Sequence, residues 1–203
     1  MAGKIVIAID GFSSCGKSTL AKALAKSLEY VFVDTGAMYR AVALYFMRNN
    51  ISFNDMFAIE KALQEIHLKF SFNAEAGKSD IMLNGENVEA EIRQMYVSEK
   101  VSEVAAIGLV RDFCVAQQQL MGKEKGIVMD GRDIGTVVFP DAALKIFVTA
   151  DPAIRAQRRY LELTQKGEQV TMEEVAANLS HRDHIDSTRE HSPLKQAGDA
   201  LVL

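Results

Sequence analysis

Residues 11–19 read GFSSCGKST, and this short stretch decides the fold. Gly11, Gly16, Lys17 and Ser18 satisfy the pattern G-x-x-x-x-G-K-[ST]. Glycines let successive backbone N–H groups turn inward around an anion, the lysine neutralises terminal phosphates, and the following hydroxyl offers an oxygen to Mg²⁺. Before the loop, KIVIAID (4–10) is a continuous apolar run, as expected of a strand buried on both faces. After it, STLAKALAKSLE (18–29) consists of strong helix formers with an apolar line at Leu20, Leu24 and Leu28. Strand, glycine turn and helix in this order predict a phosphate cradle made of Gly11, Ser13, Ser14, Cys15, Gly16, Lys17, Ser18 and Thr19, with the positive helix end aimed at the anion. Cys15 lies inside the cradle, as a reactive thiol beside positive potential or as a passive small residue.

The same alternation continues outward. YVFVDTG (30–36), GIVMDG (126–131) and LKIFVTA (144–150) read as buried strands, and AMYRAVALYFMRNN (37–50) as a helix. This pattern predicts an α/β fold with a parallel sheet and helices on both faces. Between about 60 and 92 the rhythm changes. IHLKFSFN (66–73) alternates, with Ile66, Leu68, Phe70 and Phe72 on one face, and Asn84-Gly85 signals a tight hairpin, so a small antiparallel insertion is expected. A helical stretch at about 93–122 is expected to break near Gly108. DPAIRAQRRYLELTQKG (151–167) carries Asp151 as N-cap, Pro152 in the first turn and Gly167 past the end, and another helix is expected at about 171–189. The chain stops abruptly after a last strand, ALVL, and so reads as truncated in its C-terminal strand and helix.

Bulk composition narrows the partners. The 203 residues carry a formal net charge of −4, which speaks against a general nucleic-acid binder. Two distant cysteines give neither a disulfide framework nor a zinc site. The N-terminal apolar run is too short for a membrane span and lacks a signal cleavage region, so a reducing cytoplasm is the simplest compartment.

Asp130, at the end of an apolar strand, stands where an acid would orient Mg²⁺ directly or through its water, and Arg132 and Asp133 follow at once. No Asn-Lys-x-Asp segment exists to read guanine. On a helix, Arg182, Asp186 and Arg189 share a face at i, i+4 and i+7; Arg155 and Arg159 stand at i, i+4 with Arg158 beside them. Such arginines suit two phosphorylated substrates whose charges must be brought together, and equally suit a solvated face of ion pairs.

GFSSCGKST, VDTGAMYR, VSEKVSEVAA…VR, DGRDIGTVVFPDA and HRDHIDSTR resemble, in order and spacing, the motifs of bacterial cytidylate kinases over residues 5–203. The resemblance implies a single P-loop NTPase domain of three layers, with a nucleoside monophosphate-binding insertion at about 60–100 and a lid at about 152–189. It implies an ATP- and Mg²⁺-dependent enzyme that moves the γ-phosphate to CMP or dCMP, acts as a cytoplasmic monomer, and has no membrane or polymeric nucleic-acid partner. In that reading Thr35, Arg40, Arg132 and Arg189 cage the CMP phosphate. Ser102, Arg111 and Asp133 read the cytosine edge, and Arg182 and Asp186 approach the ribose. Lys17, Arg132, Asp130, Arg155 and Arg159 serve catalysis, the last two arginines closing over ATP, and Ser18 and Asp130 hold the metal. Ser102 and Arg111 share one side only if the helix between them breaks. Two departures are Gly108, where proline is frequent, and Gln119, where arginine is common. Two other readings stay open: a catalytically silent nucleotide-binding fragment, and a P-loop kinase for UMP, AMP or shikimate. His181, His184 and His191 are read as a polar lid lining in preference to a metal site.

Overall fold

The computed structural model describes residues 3–73 and 78–203, apart from the side chains of Phe72 and Lys78. In chain order the elements are β1 (Val6–Gly11), α1 (Lys17–Leu28), β2 (Val31–Asp34), α2 (Thr35–Arg48), α3 (Met56–Glu65), β3 (Leu68–Asn73), β4 (Lys78–Leu83), β5 (Glu86–Asn87), α4 (Met95–Ala106), α5 (Gly108–Met121), β6 (Ile127–Gly131), β7 (Leu144–Val148), α6 (Pro152–Gln165), α7 (Met172–Thr188) and β8 (Leu201–Val202). A 3₁₀ turn spans Glu91–Arg93 and a π turn Ile134–Val138. Two compact units result, Met1–Thr35 with Ala116–Leu203, and Gly36–Val115.

The first unit is built on a five-stranded sheet in the order β2-β6-β1-β7-β8. Every pairing in it is parallel. Side-chain alternation sorts its residues by face. Ile7, Ile9, Val128, Ile146 and Val148 form a core with Cys15, Ala21 and Ala25. The small residues let α1 lie close to the strands. Its buried line is therefore Lys17, Ala21 and Ala25. Leu20 and Leu24 flank that line, and Leu28, expected on the apolar face, is exposed.

Register brings the strand ends level. Asp34 stands opposite Asp130 on β6, and Asp130 opposite Ile9 on β1. Asp10, one residue on, pairs with Gly131 and directs its side chain to the other face. Gly11 has φ 145°, and a Cβ there would lie 2.0 Å from the Val148 carbonyl oxygen, so the turn out of β1 accepts no side chain.

The last helices stop and start where their caps dictate. Asp151 accepts from the Ala153 and Ile154 amides at the start of α6. Thr171 and Glu174 form a reciprocal capping box on α7. α7 ends at Thr188, one residue short of expectation, and Arg189 is its extended C-cap.

In the second unit, β3, β4 and β5 form the expected antiparallel sheet. Asn84 and Gly85 both take positive φ, 50° and 87°, as a primed hairpin turn requires. Ile66 is buried and Leu68 and Phe70 are half-buried; the side chain of Phe72, expected on the same face, lies outside the described residues. α2 begins at Thr35, two residues before the expected helix. The helical break falls at Ile107, which is extended, and Gly108 is the first residue of α5.

Candidate active site

The phosphate loop follows β1 and turns into α1 through Gly16, whose φ of 102° favours glycine. Lys17 is buried, and its ammonium donates to the Phe12 carbonyl. Its Nζ lies 3.6 Å from Cys15 Sγ. Burial and the neighbouring Arg132 charge bring Lys17 down to about 8. Cys15 is itself buried, with its thiol donating to the Phe12 carbonyl at 3.0 Å.

Ser18 Oγ donates to Asp130 Oδ2 at 2.6 Å. The other oxygen, Asp130 Oδ1, is buried without a hydrogen-bond partner. Burial and the Asp34 carboxylate push the Asp130 carboxyl well above the ordinary range. Thr35 Oγ1 donates to the Asp130 carbonyl at 2.7 Å. A cation beside Asp130 Oδ1 would relieve both the burial and the like-charge repulsion. Hydroxyl and carboxylate oxygens are hard donors, so this pair fits Mg²⁺. Among the described residues no group of three or more His, Cys, Asp or Glu side chains could hold a metal ion. His181, His184 and His191 are all exposed.

In the first unit Arg132, Arg182 and Arg189 gather around Asp186, while Arg158 is exposed. Arg132 Nε donates to Asp186 Oδ2 at 2.8 Å. Arg189 approaches Asp186 at 3.7 Å and Asp133 at 4.0 Å, and also donates to the Ser192 carbonyl. Burial and Arg132 lower Arg182 to about 10. Burial alone would raise Asp186, but Arg132, Arg182 and Arg189 hold it below the usual carboxylate range. Arg159 pairs with Glu162 at 2.9 Å. Arg159, Arg182 and Arg189 are buried and Arg132 is half-buried, so these arginines do not lie on a solvated face.

Arg155, expected to close over ATP, lies against the phosphate loop at Phe12 and Ser13. It pairs with Asp183 at 2.7 Å and donates to the carbonyls of Ala150 and Ser13. Its guanidinium also lies 5.1 Å from the centre of the Phe12 ring. Reading residues singly missed Asp183, whose only signal was its place beside Arg182. It also missed Asp10, a charged residue ending a buried strand. Gln119, outside the arginine set, donates to the Val138 carbonyl.

In the second unit, Arg40 donates to the Ile92 carbonyl at 3.1 Å and to Ser98 Oγ at 2.8 Å. Ser102 is buried on α4. Arg111 on α5 reaches back to the Ala105 carbonyl at 3.1 Å, and its guanidinium lies 5.2 Å from the Tyr39 ring centre. The extended Ile107 allows this return across the break.

Residues 7–203 match the family model described as Cytidylate kinase. A cytidylate kinase of Bacteroides fragilis is 59% identical, the alignment covering 98% of this chain and 89% of that one. One from Parabacteroides distasonis is 60% identical with the same coverages, 98% and 89%. One from Porphyromonas gingivalis is 56% identical, covering 100% of this chain and 90% of that one.

Proposed function

The chain belongs to the cytidylate kinase family, and from that premise we propose that it is a CMP kinase that uses ATP as donor and CMP or dCMP as acceptor. The observation that carries this reading is the juxtaposition, in one buried region, of a phosphate loop with Lys17 and an arginine cluster around Asp186. One anion site alone would serve a hydrolase; two suit a transfer between phosphorylated molecules.

In the proposed reaction an oxygen of the CMP phosphate attacks the γ-phosphorus of ATP. The bond from the γ-phosphorus to the bridging oxygen breaks, and ADP leaves with that electron pair. The attacking oxygen is already anionic, so no general base is needed. The loop residues Gly11, Ser13, Ser14, Cys15, Gly16, Lys17, Ser18 and Thr19 hold the ATP phosphates. Arg132 and Arg189, with Thr35, bring the acceptor phosphate in line, and Asp133 meets the cytosine amino group. Arg182 and Asp186 orient the ribose. Arg159 neutralises charge that builds on the transferring group. A Mg²⁺ held by Ser18 and Asp130 would supply further charge neutralisation to the donor phosphates. Among the described residues no helix is long and apolar enough to cross a membrane. We read the enzyme as a cytoplasmic monomer.

ADP release with Mg²⁺ and ATP tests the proposal against CMP, dCMP, UMP, AMP and shikimate. Turnover with CMP and dCMP far above the other three is expected. ATP binding without turnover of any acceptor would instead identify a silent nucleotide-binding module, and preference for AMP or shikimate a different kinase.

A further inference from the structure

Asp10 precedes the first glycine of the phosphate loop, yet its side chain leaves on the opposite face of the sheet from α1. There its two oxygens accept from two successive amides, Ile134 N–H on Oδ1 and Gly135 N–H on Oδ2, each at 2.7 Å. These amides open the π turn, and Arg132 and Asp133 lie immediately before them. The carbonyl of Asp133 in turn accepts from the Val137 and Val138 amides. The segment is thereby fixed at both ends. Asp10 is buried, and burial raises its carboxyl to about 6 against the lowering effect of the two amides. A buried carboxylate that spends both oxygens on one backbone turn is costly unless the turn itself matters.

We propose that Asp10 is a positioning residue that ties the donor loop to the acceptor clamp, by holding the Ile134 and Gly135 amides so that Arg132 and Asp133 face the acceptor nucleotide. The inference rests on the CMP kinase reading above. Asp10 touches no reacting atom. It acts through the backbone: the strand that launches Gly11 also anchors the turn that presents Arg132 to Asp186. Gly135 is fitted to this joint, since a Cβ there would lie 3.3 Å from Asp10 Oδ2 and 3.1 Å from Lys145 Cδ.

Asp10→Asn keeps the shape but replaces one acceptor with an N–H₂ donor facing an amide N–H. Steady-state kinetics of the full chain should show KM for CMP raised about tenfold, a narrowed preference for CMP over UMP, and KM for ATP within about twofold of wild type. Gly135→Ala disturbs the joint from the other side and should move the same quantities in the same direction. The double variant should cost no more than Asp10→Asn alone, because one joint is lost only once. Unchanged acceptor KM and base preference in Asp10→Asn would overturn the inference, as would an equal rise in both KM values, the mark of general collapse of the loop. If Asp10→Asn does not fold, a wild-type acceptor KM in Gly135→Ala overturns it instead. Wild-type enzyme without CMP turnover would sink the functional reading itself, and this inference with it.

Discussion

At the scale of single residues, Lys17 is the most exposed to a test by pH. Burial and the Arg132 charge bring it from 10.5 to about 8. In the free enzyme Lys17 therefore loses its proton as pH rises through 8, whereas bound phosphates favour the charged form and pull the proton back. On the proposed reading, kcat/KM for ATP should fall above pH about 8 while kcat holds to higher pH, because the first reports the free enzyme and the second the complex. A kcat/KM profile level to about pH 9.5 would reject this. The sign for stability is opposite. Between about 8 and 10.5 the unfolded chain binds this proton more tightly, so Lys17 makes the free protein gain stability as pH rises through that window.

At the scale of elements, α7 depends on its first turn. Thr171 caps the Glu174 amide, and the Glu174 carboxylate accepts from the Thr171 amide at 2.8 Å. Thr171→Ala should cost about 1 kcal/mol, lowering Tm by about 2–4 °C in a thermal melt. A melt unmoved by the substitution would mean that α7 is held by packing alone. The pair of α6 and α7 is joined by Arg155 and Asp183 at 2.7 Å. The Arg155 side chain is 5% exposed and that of Asp183 19%, so the pair is only partly screened. Asp183→Asn leaves a buried guanidinium short of its counter-charge and should destabilise by about 2 kcal/mol, read as a lower urea midpoint. Wild-type resistance to urea would show that the Ser13 and Ala150 carbonyls suffice for Arg155.

At the scale of the whole molecule, what could be read in advance was what has short range. The strand, glycine turn and helix around GFSSCGKST followed from run length and composition, and the hairpin at Asn84-Gly85 from its φ preference. The caps at Asp151 and the spacing of Arg182, Asp186 and Arg189 were equally local. Leu28 was misread because a helical apolar line does not say how closely a helix approaches a sheet. Ala21 and Ala25 decided that, and the larger side chains were pushed to the flanks. Arg155 pairs with Asp183 and with the Ser13 carbonyl, neither of them a neighbour in sequence.

By itself the sequence determined that a nucleotide's phosphates would be cradled between a buried strand and a helix, because that cradle needs only consecutive residues and their backbone freedom. Only the tertiary structure decided which charges meet. Asp10 reaches amides 124 and 125 positions away, and Arg155 a carbonyl 142 positions away. Such pairings arise when parallel strands bring their ends level, and no period along the chain encodes them. Burial then turns those meetings into chemistry. It leaves Asp130 with an unpartnered oxygen and lowers Lys17, and it gathers the arginines around Asp186.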